Sequence, residues 1–199
     1  MSERDWRKIN LGLLAAIILI NLYTIALPFL PSLGYWWKHR DAKAPPAIAT
    51  VVKATTPSTD APLPGNRLII PRMDLNTEIV EGPERTWGAN LRKGAWRLPF
   101  STDPARGGNM VIAGHRFTYT ESRSIFYYLD KLQIGDEIGI SWEGKLYTYK
   151  VESSRTVPPT EVSVQQPTKD ARLTLYTCTP IFNPVNRLVV VAKPVGEVN

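Results

Sequence analysis

The hydrophobic pattern divides the 199-residue chain into three stretches of different physical character. No charged residue occurs between Lys8 and Lys38, and Leu11 to Leu27 is almost wholly apolar. A helix needs roughly 17–25 residues to cross the hydrocarbon layer, so this run predicts one membrane-spanning helix that leaves the layer near Pro28 and Pro31. Tyr35, Trp36 and Trp37 follow as an interfacial aromatic belt. A cleaved signal peptide fits less well: its apolar region is about 7–15 residues and ends in a small-residue cleavage site. From Asp41 to Gly65 the chain is rich in Ala, Pro, Thr and Ser without apolar periodicity, which predicts an extended, semi-stiff tether.

After the tether the pattern changes to short β-type runs separated by turn residues. They are Arg67–Ile70, Thr77–Val80, Asn109–Ala113, Glu137–Trp142, Leu146–Glu152, Ala171–Cys178 and Leu188–Ala192. Ile125–Leu132 is the one helical turn that the pattern suggests. Strands at this spacing, with Gly or Pro in most gaps, predict a mainly all-β domain, a largely antiparallel barrel or sandwich. The organisation is an N-terminal tail over residues 1–8, the membrane helix with its aromatics over 9–37, the tether over 38–65 and the folded domain over 66–199.

Length and charge narrow the function. One core typically organises about 100–200 residues, so a second large domain does not fit. The formal charge of +6 suits an anionic surface, yet no zinc-finger, RNA-binding or phosphate-loop signature directs it, and nucleic acid is not an expected partner. Arg4, Arg7 and Lys8 before the helix are balanced by Lys38, Arg40 and Lys43 after it, so charge leaves the membrane orientation open.

Cys178 is the only cysteine and has no internal disulfide partner. A lone cysteine is commonly a small buried hydrophobe. Here, however, it closes the run Leu173-Thr174-Leu175-Tyr176-Thr177-Cys178 and precedes Thr179-Pro180, which places the thiol at a strand end, where a substrate can reach it. His115 ends another run, after Met110-Val111-Ile112-Ala113-Gly114, and Gly114 allows close packing before the ring. Arg187 opens the last strand, and the short Thr179–Asn186 connection brings it close to Cys178 if the flanking strands form a hairpin. Taken singly, His115 reads equally as a turn residue and Arg187 as a solvated edge charge.

Together, Ala113-Gly114-His115-Arg116, Thr174-Leu175-Tyr176-Thr177-Cys178 and Arg187 resemble the sortases. Arg67-Leu68-Ile69-Ile70-Pro71, Gly108-Asn109-Met110-Val111-Ile112 and Leu132-Gln133-Ile134-Gly135-Asp136-Glu137-Ile138 extend the resemblance over most of the chain beyond the tether. It implies an eight-stranded barrel with a short helix, in which histidine, cysteine and arginine converge at one rim. On this likeness Cys178 is the nucleophile, His115 the proton donor and acceptor, and Arg187 the stabiliser of the oxyanion or the substrate. The likeness further implies a sorting signal of the LPxTG kind, lying on Ala113, Tyr176 and Thr177 and walled by Val157, Pro159, Val162 and Val164 of the Val157–Val164 loop. Implied partners are exported proteins carrying that C-terminal signal, an amine acceptor such as a peptidoglycan precursor, and the bilayer, with the catalytic domain outside the cell. The loop continues Gln165-Gln166-Pro167 without the carboxylate by which some sortases hold calcium, so no metal and no other cofactor is expected. The absence of an aromatic or Asp-bearing lid in the tether favours protein anchoring over pilus assembly.

Two rivals are weighed against this reading. An L,D-transpeptidase also uses cysteine, histidine and arginine, but its His-Gly-Cys type run is not found around Cys178. A non-catalytic, membrane-tethered peptide-binding module would share the groove, and activity is what separates it from an enzyme.

Overall fold

The structure, a computed structural model, describes residues 3–40, 45–55, 65–118 and 124–195. The chain forms two compact units, Met1–Lys43 and Ala44–Asn199.

In the first unit α1 runs over Glu3–Ala26, a 3-10 turn over Leu27–Phe29 and α2 over Leu30–His39. The 24 residues of α1 extend about 36 Å at 1.5 Å per residue, enough for a hydrocarbon layer of about 30 Å. By length and composition α1 is a candidate membrane span. Two of its polar side chains bond to its own backbone: Asn21 Nδ2 donates to Ile17 O at 2.8 Å and Thr24 Oγ1 to Asn21 O at 2.9 Å. The regular helix ends at Ala26, just ahead of Pro28. Each proline falls in the first two positions of the next helical segment, where its missing N–H is no loss. Tyr35, Trp36 and Trp37 therefore sit on a helix, with the Arg40 guanidinium 4.2 Å from the Trp37 ring centre.

The second unit is a closed barrel in the order β1-β2-β3-β4-β7-β8-β6-β5. Its strands are β1 Arg67–Ile70, β2 Leu75–Val80, β3 Ala95–Arg97, β4 Asn109–Ala113, β5 Glu137–Trp142, β6 Lys145–Val157, β7 Arg172–Thr179 and β8 Asn186–Pro194. Pairing is antiparallel except at β2–β3 and β4–β7. Period-two alternation sorts the side chains: Met110 and Ile112 of β4 and Leu173 and Leu175 of β7 enter the barrel core, whereas Val111 and Ala113 face outward into a second apolar cluster with Trp96 and Leu98. Tyr149 is 2% exposed inside the barrel, and burial pushes its phenol up to about 12.

Several elements differ from the sequence-based expectation, among them the unanticipated short strand β3. Residues Ile48–Thr55, within the stretch read as an extended tether, form helix α3. Its Ile48 is buried against Gly139, with Cγ2 3.1 Å from where a Gly139 Cβ would lie, so tertiary packing overrides the weak local pattern. Residues 41–44 and 56–64 of that stretch lie outside the described residues. A second unanticipated helix, α4 over Trp87–Lys93, follows β2, so Ile125–Leu132 is not the one helical turn of the domain. That segment forms turns ending in a 3-10 turn at Leu129–Lys131. Finally, β6 continues to Val157 through exposed Ser154, Arg155 and Thr156, which β8 holds by backbone pairing beyond a bulge between Val151 and Ser153.

Candidate active site

Two strand registers assemble the site. In the antiparallel β7–β8 pair Cys178 stands directly opposite Arg187 and Tyr176 opposite Val189. In the parallel β4–β7 pair Ala113 stands beside Tyr176, and continuing two positions brings His115 alongside Cys178. Because side chains alternate, Ala113, His115, Tyr176, Cys178 and Arg187 all fall on the outer face of the barrel wall. The register is fixed where the strands part: Gly114 N–H donates to Tyr176 O at 3.3 Å and Thr177 Oγ1 to Gly114 O at 2.7 Å.

His115, Cys178 and Arg187 line one open cleft of about 320 Å³. All three are partly exposed. The outer apolar cluster forms the floor, with Ala113, Leu98, Trp96 and Tyr176, and α4 contributes Leu91 and the exposed Trp87 as a wall. The Tyr176 phenol is pushed up to about 12 by burial and, more weakly, by Cys178 and Glu84, against the opposing effect of Arg187. It therefore stays neutral beside the thiol. The arrangement places a thiol, an imidazole and a guanidinium around a trough floored by β-strand, which suits addition to a peptide carbonyl.

Residues 68–195 match the family model of the sortase domain. The chain belongs to the sortase family. It is 32% identical over 149 residues to sortase A of Listeria monocytogenes, a match covering 74% of this chain and 64% of that protein. The chain thus spans less than two thirds of that relative's length. Among solved structures, the barrel is similar to a Clostridium perfringens sortase D5 transpeptidase, with a TM-score of 0.58 and 25% identity over 74% of this chain and 87% of that one. It is also similar to C. perfringens sortase C solved with the C-terminal cell wall sorting motif, with a TM-score of 0.57 and 25% identity over 66% of this chain and 70% of that one.

Of the sortase residues anticipated around the peptide, Ala113, Pro159, Tyr176 and Thr177 line the cleft. Val157 is 5% exposed, pairs with Arg187 across β6–β8 and is not among the residues that line the cleft. Val162, which is exposed, and Val164 lie on the 3-10 turn Val162–Gln165, and it is Gln165 that reaches the lining. Sequence reasoning passed over Asn109, which is buried on the outward face of β4. Its Nδ2 donates to Val164 O at 3.2 Å and Gln166 O at 2.9 Å, while its Oδ1 accepts from Thr174 Oγ1 at 2.7 Å. One amide thus ties the wall loop to the floor, and the signal for it was an asparagine heading an otherwise apolar strand. Trp87, Trp96 and Phe100 were also passed over, since they sit in a short helix, a short strand and a turn with no periodic pattern to link them.

Among the described residues no group of three or more His, Cys, Asp or Glu is placed to hold a metal ion. Glu161 accepts from Ser163, and Asp103 accepts from the Ala105 and Arg106 amides at 3.0 and 3.1 Å.

Proposed function

We propose that the protein is a membrane-anchored cysteine transpeptidase that cleaves an LPxTG-like sorting signal and transfers the acyl part to an amine. The observation that supports this most directly is the meeting of Cys178, Arg187 and His115 on one outward face, two of them by direct pairing and the third by parallel register. The Cys178 thiolate adds to the scissile carbonyl carbon while Arg187 supports the developing oxyanion. The C–N bond then breaks, and the departing amine takes its proton from His115, leaving a thioester on Cys178. His115 next accepts a proton from an incoming amine. That amine attacks the thioester, and the C–S bond breaks to restore the thiolate.

An extended peptide would lie across Ala113, Tyr176 and Thr177 with Pro159 as its wall, in keeping with the sorting motif held by the C. perfringens sortase C. Acceptors of the expected class are an amine of a peptidoglycan precursor or of another protein. α1 supplies the anchor, and meeting exported substrates requires the Asn66–Val195 domain outside the cytoplasm. Protease added to intact, wall-stripped cells should then remove that domain, and full protection would reverse the orientation.

The activity is tested with a fluorescent LPxTG-like peptide and an added amine. Wild type should yield the transpeptidation product in proportion to the amine. Binding without turnover would favour a peptide-binding module.

A further inference from the structure

Arg116 follows His115 in sequence and Thr179 follows Cys178, so the two residues flank the reacting pair on its far side. The paired register of β4 and β7 stops at Ala113 opposite Tyr176, two residue pairs short of His115 and Cys178. Beyond it, Arg116 Nη1 donates to Thr179 Oγ1 at 2.6 Å, and Arg116 Nη2 lies 3.3 Å from the Asp130 carboxylate. With the Thr177 hydroxyl bound to Gly114 O on the near side, His115 and Cys178 are bracketed by side-chain bonds that cross between their two segments.

We infer that Arg116 is a positioning residue, which fixes His115 against Cys178 by gripping Thr179 while Asp130 holds its guanidinium in place. The inference rests on the transpeptidase reading above. The setting argues for a role beyond fold stability. Only 10% of the Arg116 side chain is exposed, and its Nε–H is buried without an acceptor among the described residues, a donor that would be better satisfied in water. Replacing a buried ion pair by an apolar residue of similar volume is often neutral or stabilising. Stability and positioning therefore separate in Arg116→Met.

The experiment uses the full chain and four variants, Arg116→Met, Thr179→Val, Thr179→Ser and the double Arg116→Met/Thr179→Val. Readouts are kcat and KM for the fluorescent peptide, thermal melting, and the rate of Cys178 alkylation by iodoacetamide. Misplacing reacting groups by about 1 Å costs up to about 10²-fold, so Arg116→Met and Thr179→Val should each lower kcat about 10–100-fold with KM little changed. Thr179→Ser keeps the acceptor hydroxyl and should keep the rate. The double variant should be no slower than the slower single, because both changes remove one bond. Unchanged kcat in either folded single variant, or losses that multiply in the double, would overturn the inference. Should Arg116→Met not fold, the contrast between Thr179→Val and Thr179→Ser decides. Should wild type itself not turn over the peptide, the transpeptidase reading falls, and alkylation decides the positioning: slower in Arg116→Met and Thr179→Val but not in Thr179→Ser supports it, equal rates refute it.

Discussion

Gly114 links the fold to the site, for it precedes His115 and packs against the barrel core. A methyl group added there would lie 2.7 Å from Phe126 Cδ2 and 2.8 Å from both Cδ1 and Cγ1 of Ile125. Carbon atoms pack at about 3.5–4.0 Å, so something must move by roughly 1 Å. The Phe126 ring is fully buried in the barrel core and cannot swing into solvent. Overpacking of this kind costs about 1–3 kcal/mol. At about 2–4 °C per kcal/mol for a chain of this size, Gly114→Ala should melt roughly 2–12 °C lower. The alternative is for the β4 end to retreat, which stretches the Thr177–Gly114 hydrogen bond and carries His115 away from Cys178. A displacement near 1 Å there would slow peptide cleavage by up to about 10²-fold even in the folded fraction. Adding Ile125→Ala removes two of the three crowding atoms, so the double variant should melt higher than the sum of the single effects predicts. Melting and peptide turnover at a temperature where both variants are folded provide the assay. A Gly114→Ala protein with wild-type melting and rate, or strictly additive singles, would refute the steric reasoning.

Two further outcomes follow from the site. Arg187→Lys keeps the charge but loses the planar fork of donors, so turnover should fall by about 10²–10³ with melting unchanged, whereas equal rates would remove Arg187 from the oxyanion site. The Tyr149 and Tyr176 phenols are raised from 10.0 to about 12, so both stay neutral while exposed tyrosines ionise. Because the folded state holds these protons more tightly, the stabilisation is full below pH about 10 and is lost as pH rises towards about 12; for Tyr149 it amounts to about 2–3 kcal/mol. Ultraviolet titration of the native protein should show a late-titrating class of tyrosines, and a single class ionising near pH 10 would contradict their burial.

What could be read in advance depended on how local the determining contacts are. β1, β4, β5 and β7 were legible because each is a nearly continuous apolar or β-branched run with turn residues at its ends. β3 was not, since Ala95–Arg97 is too short for any periodicity and is held by pairing with β2 and β4. The far half of β6 is polar and exposed, so only its hydrogen bonds to β8 make it a strand. α3 escaped for the reverse reason: one side chain, Ile48, finds a pocket on β5 that its own sequence neighbourhood does not announce. The same division runs through the site. Cys178 and Arg187 are joined by a short hairpin and were brought together by chain length alone. His115 reaches them through the parallel β4–β7 pairing of residues some sixty positions apart, which local pattern does not encode and which the family resemblance supplied. Arg116, Asn109 and the Trp87–Leu91 wall act through side-chain bonds and packing between distant segments, and these become visible with the fold.

The central claim is that Cys178 carries the acyl group. Wild type incubated with an LPxTG-like peptide in the absence of acceptor amine, then quenched in acid, should show by mass spectrometry an adduct of the peptide's acyl fragment on the tryptic segment containing Cys178. That adduct should disappear on adding amine and never form in Cys178→Ala. Turnover of the peptide by folded Cys178→Ala, or an adduct on any other residue, would contradict it.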